Sequence, residues 1–165
     1  MSNISDILKR EAIDLGLCPQ WTEEWADGSD QQTLIDKYKR GIDFCLERDW
    51  PTPEFIKDNF DRALLNRNLI FVDEHIDVKE ARSGVYVING ECSGTIRFPQ
   101  WAAATIYVRH RSKIRIEADG FAKVFIRVYD GAEVDVSQQG GAIAMVYDKR
   151  ETAQKKKKNQ KGNSH

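Results

Sequence analysis

Between residues 104 and 146 every second position is small or apolar: Ala104, Ile106, Val108, Ser112, Ile114, Ile116, Ala118, Gly120, Ala122, Val124, Ile126, Val128, Ala132, Val134, Val136, Gly140, Ala142, Ala144 and Val146. Only His110, Asp130 and Gln138 interrupt the series. The alternate positions carry Arg109, Arg111, Lys113, Arg115, Glu117, Asp119, Lys123, Arg127, Glu133 and Asp135, mixed with aromatics. A period of two is what a strand with one buried and one wet face requires. A shift of twenty residues then lays the inward set on itself, with Ser112 on Ala132, Ile114 on Val134, Ile116 on Val136, Gly120 on Gly140, Ala122 on Ala142, and Ile106 on Ile126 and Val146. A fixed period with matched inward positions predicts a solenoid, each coil stacked on a copy of itself. Gly84 to Ile88 and Thr95 to Phe98 read as a first, less regular coil.

The competing expectation is an antiparallel β-meander, because Asp119-Gly120 and Asp130-Gly131 sit between apolar runs and this dipeptide favours hairpins. A two-residue hairpin at 130 and 131 would set Val128 and Glu133 on one face, whereas a continuous coil keeps Val128 and Val134 both inside. A three-residue bulged loop would keep the parity too.

Upstream the period is helical. Ile4, Ile7, Leu8, Ala12 and Leu15 share one helix face and Gly16 follows as a stop. Pro19 opens a short helix with Trp21 and Trp25 one turn apart. A third helix is expected from near Asp30 toward Arg48, and a fourth after Thr52 with Phe55, Ile56, Phe60, Ala63 and Leu64 inward. The predicted fold class is therefore α+β: a helical head over 1–66, a connector over 67–83, a short parallel β-solenoid over 84–148 and a disordered basic tail over 149–165.

Charge follows the same division. Residues 1–66 hold 8 basic and 14 acidic side chains, residues 67–148 hold 10 and 11, and residues 149–165 hold 7 and 1. The tail, with Lys155, Lys156, Lys157, Lys158 and Lys161, could hold nucleic-acid phosphates through salt-sensitive contacts, or serve only to keep the chain soluble. No apolar run reaches the ~20 residues of a membrane span, so no membrane partner is expected and the location is read as cytoplasmic, with virion association as a variant. Cys18, Cys45 and Cys92 are odd in number and widely spaced, which suits packed thiols better than disulfides or zinc.

The region from Ala104 to Asp148 resembles short parallel β-helix modules. With Leu17-Cys18, Trp21 and Gly41 to Cys45 in the head, the whole layout is similar to small uncharacterised proteins of phages and other bacterial mobile elements. What the resemblance implies is a setting in which parallel β-helices are often fibre parts, virion accessories or binding modules, a non-enzymatic role. It supplies no catalytic motif.

Chemistry has few footholds. His75, His110 and His165 lack a second His or a Cys at metal-ligand spacing, and His110 reads as a turn residue rather than a general base. Glu117, Asp119, Glu133 and Asp135 point outward, and a sugar-cleaving β-helix needs two such carboxylates ~5 to 10 Å apart. The twenty-residue shift sets Lys113 over Glu133 and Arg115 over Asp135, pairs that keep carboxylates ionised. No phosphate loop, nucleophile elbow or dinucleotide fingerprint occurs. No enzyme, cofactor or metal is expected. The candidate working surface is Trp101, Tyr107, Phe121, Phe125, Tyr129, Met145 and Tyr147, together with the open strand edge that a short solenoid leaves. The expected function is a non-catalytic protein-interaction or assembly module, self-associating or binding a protein partner through the solenoid, with a nucleic-acid accessory protein or a carbohydrate-binding or carbohydrate-cleaving β-helix as alternatives.

Overall fold

A computed structural model describes residues 3–148, which form two compact units that meet in sequence at Asn68 and Leu69. The first unit is helical: α1 (Ile4–Asp14), α2 (Pro19–Glu24), α3 (Gln31–Arg40), α4 (Ile42–Arg48), α5 (Pro53–Asn59) and α6 (Arg62–Arg67). Leu8, Ala12, Trp25 and Leu34 form one of its cores. The indole of Trp25 donates to Ser5 Oγ at 3.0 Å, which satisfies the polar end of a buried ring.

Two expected helices are each split in two. Gly41 separates α3 from α4, where a Cβ would lie 3.3 Å from the Trp21 ring. Between α5 and α6 Phe60 turns extended, and the Asp61 carboxylate caps α6 by accepting the Leu64 amide at 2.9 Å. Gln31 clamps that break, its Oε1 accepting from the Asp61 amide at 2.9 Å. The shared apolar face runs through both breaks, so periodicity alone shows one helix where a glycine at the first break and an aspartate cap at the second make two.

The second unit is the solenoid. Its strands are β1 (Ile70–Val72), β2 (His75–Val78), β3 (Gly84–Asn89), β4 (Ser93–Phe98), β5 (Ala103–Val108), β6 (Lys113–Ala118), β7 (Lys123–Val128), β8 (Glu133–Gln138) and β9 (Ile143–Asp148). They form two parallel sheets, β1-β3-β5-β7-β9 and β2-β4-β6-β8. Each coil contributes one strand to each sheet, giving four coils and a final strand. Every ladder is parallel, which removes the meander. The register matches the twenty-residue shift: Ile106 pairs with Ile126 and Ile126 with Val146, Ile114 with Val134 and Ile116 with Val136.

The segment 67–83, expected as a connector, contains β1 and β2, so the solenoid begins at Ile70. Its first coil is shorter than the rest, since Ile70 pairs with Val87 and His75 with Ser93, shifts of 17 and 18. A search at twenty passes over it. The interior is a continuous apolar column that includes Ile76, Ile96 and Ile116 on one sheet and Ile88, Val108 and Val128 on the other.

Candidate interaction surface

The corners between strands decide which side chains leave the core. Gly90, Gln100, His110, Gly120, Asp130 and Gly140 recur every tenth residue with φ between 53° and 71°, a left-handed kink that turns the chain from one sheet to the other. Two residues on, the corner must fill a tight interior with little bulk, and Cys92, Ala122, Ala132 and Ala142 do so. Ser112 does too, with its hydroxyl donating to the Gly90 carbonyl at 3.0 Å and accepting from the Cys92 amide at 3.2 Å.

His110 is such a corner residue. Its Nδ1 accepts from the Gly90 amide at 2.9 Å, and its own amide donates to the Asp130 carboxylate at 3.3 Å. The side chain thus ties its coil to the one before, which is the work of a turn histidine. His75 Nδ1 lies 3.3 Å from Ser93 Oγ.

The outward carboxylates lie among cations. Glu133 lies 4.0 Å from Lys113, Glu117 accepts from Arg115 at 3.2 Å, and Asp119 receives Arg97 at 2.6 Å. Arg115 faces Asp135 in register, as the shift predicts, but its recorded ion pair is with Glu117 on its own strand. Among the described residues no group of three or more His, Cys, Asp or Glu side chains could hold a metal ion. Cys45 and Cys92 are buried thiols, while Cys18, expected to be packed, is exposed at the start of α2.

The expected aromatic strip divides. Trp101 and Phe121, next to the corners Gln100 and Gly120, are 74% and 56% exposed and stack with centroids 4.7 Å apart. The stack stops one coil later, because a Cβ at Gly141 would fall 2.7 Å from the Phe121 ring. Phe125 pairs with Met145, and both are exposed, as is Tyr147 beside Arg127. Tyr107 departs from the rest of the strip: although it has outward parity it is buried, as are Val87 and Arg109, the latter expected on the wet face. The Arg127 guanidinium lies 5.6 Å from the Tyr107 ring centroid and Tyr129, half-buried, stacks on it at 6.4 Å. Tyr107 and Tyr129 therefore anchor the surface from within and Trp101, Phe121, Phe125, Met145 and Tyr147 present it.

Sequence reasoning missed Ile143 and Val146, which are also exposed. Among the described residues their strand has β7 on one side and no strand on the other, and the end of the twenty-residue repeat at Val146 was the available signal. Lys155, Lys156, Lys157, Lys158 and Lys161 lie outside the described residues. No helix among the described residues is long and apolar enough to cross a membrane. Compared with known proteins, the chain matches no family model, no curated protein and no solved structure.

Proposed function

We propose that the protein is a non-catalytic assembly module that self-associates through its solenoid, in the setting of a phage or another mobile element, in the cytoplasm or on a virion. The observation that carries this reading is the run of exposed apolar side chains on the last strand, Ile143, Met145 and Tyr147 on its outer face, continuous in register with Phe125, and Val146 on its inner face. Contiguous apolar surface of this kind is typical of contact sites. The outward carboxylates on β6 and β8 have cationic neighbours and offer no isolated proton donor, which supports a binding role over glycan cleavage.

The test is the solution mass by light scattering at low and high salt, for the full chain and for a chain ending at Asp148. Self-association through apolar surface predicts an oligomer that keeps its mass in high salt and without residues 149–165. A monomer under all four conditions would sink the proposal. The nucleic-acid alternative, which rests on the charge of +6 over residues 149–165, predicts instead that the full chain retains DNA or RNA at low salt, releases it as salt rises and fails to bind once shortened.

A further inference from the structure

We infer that the self-association proposed above runs through the open end of the last coil, and that its occupant is a second copy set across a two-fold axis with β9 antiparallel to its counterpart. In β9 the Ile143 amide donates to the Ala122 carbonyl at 2.9 Å. The alternation of a parallel ladder then turns the amides of Ala144 and Val146 away from β7. Gln138 reaches across from β8, its Oε1 accepting the Ala144 amide at 3.0 Å. The Val146 amide stays on the open side, beside a side chain that is 46% exposed. Val134 and Val136 are only partly buried, whereas Ile114 and Ile116 one coil earlier are 2% and 0% exposed. The apolar column is thus cut open at this end.

Free edges in monomeric proteins are usually blunted by a lysine, a proline, a bulge or an inward charge. The run Ile143-Ala144-Met145-Val146-Tyr147 contains no lysine, proline or charge. The chain's own following residues do not suit a fifth coil. Continued at a twenty-residue shift, they would set Gln154, Lys156 and Lys158 on the inward positions of Val134, Val136 and Gln138, and an ammonium group buried against valine is strongly disfavoured.

A second copy fits for an electrostatic reason. In a two-fold contact the residues near the axis meet their own kind, so a charged strand repels itself. β6, β7 and β8 all carry charged residues, but β9 from Ile143 to Tyr147 carries none. Antiparallel pairing also sends the two Asp148 residues to opposite ends of a strand about 20 Å long. That separation exceeds the ~8 Å screening length at physiological salt.

The experiment compares the full-length wild type with Val146→Lys, Val146→Pro, Phe125→Ser and Trp101→Ser by light scattering, with circular dichroism to check the fold. Val146→Lys places like charges together near the axis. Val146→Pro removes an amide that faces away from β7, a change an edge strand tolerates. The expected result is a dimeric wild type, a monomer for each folded Val146 variant, and unchanged mass for Phe125→Ser and Trp101→Ser. Val146 variants that remain dimeric, or a dimer lost only with Phe125→Ser or Trp101→Ser, overturn the end-on geometry and leave self-association standing. A wild-type trimer overturns the two-fold axis, and a wild-type monomer overturns self-association itself.

Discussion

A single backbone angle, repeated every tenth residue, carries much of the solenoid. At Gly120 the φ of 62° is joined by close approach, since a Cβ there would sit 2.8 Å from the Gln100 Cα. Gly131 has no such φ and its nearest neighbour would be the His110 carbonyl at 3.2 Å. Gly120→Ala should therefore cost about 1 to 3 kcal/mol, from left-handed strain and backbone crowding, and Gly131→Ala clearly less. Urea midpoints for the two variants check this, and equal midpoints would refute it. The pair also shows why Asp-Gly misleads as a hairpin signal in this chain: at 119 and 120 the glycine takes the kink, at 130 and 131 the aspartate does. Burial pushes the Cys92 thiol up from 9.0 to about 11, opposed by a hydrogen bond involving the Glu74 backbone. A raised folded value means stability fully present below pH 9 and lost as pH climbs from there toward 11, by up to about 2 to 3 kcal/mol. Cys92→Ala should flatten that alkaline decline in a pH series of urea titrations. A decline as steep as the wild type's would place its origin elsewhere.

Among the elements, the strands in the middle of the stack and those at its end should respond differently to the same truncation. Ile116 on β6 is fully buried between β4 and β8, so Ile116→Ala should lose about 2 to 5 kcal/mol as side-chain transfer and cavity add together. Val136 on β8 occupies the matching place one coil on and is only partly buried, so Val136→Ala should lose well under half as much. Denaturant unfolding of both variants, at a concentration that keeps the chain monomeric, decides it, and comparable losses there would mean that the last coil is covered within the single chain. The same regularity explains what could be read in advance. From Gly84 to Val146 each inward residue stacks on one twenty positions away, and strict register makes the sequence nearly a drawing of the core. Ile70 and His75 escaped because their coil is two or three residues short. The split at Gly41 escaped because the apolar face runs through it. Tyr107 escaped, with Val87 and Arg109, because parity tells which way a side chain starts and not whether that face is covered.

At the scale of the whole molecule, a stack in which each coil pairs only with its neighbours should open from its ends. Among the described residues β5 and β7 have strands on both sides, whereas β9 has one only on the side of β7. In dilute solution, where the single chain dominates, hydrogen exchange should therefore be slowest at the amides of β5 and β7 and faster at β9. The Ala144 amide, held only by the Gln138 side chain, should exchange faster than that of Ile143, which is bonded to the Ala122 carbonyl. Concentration then separates two explanations of any slow exchange at Val146. Protection that rises with protein concentration means that a second copy supplies the missing strand, because mass action acts on an intermolecular bond and leaves an intramolecular one unchanged. Protection independent of concentration means that the same chain covers its own edge, which would exclude the end-on dimer even if the protein oligomerises by another face.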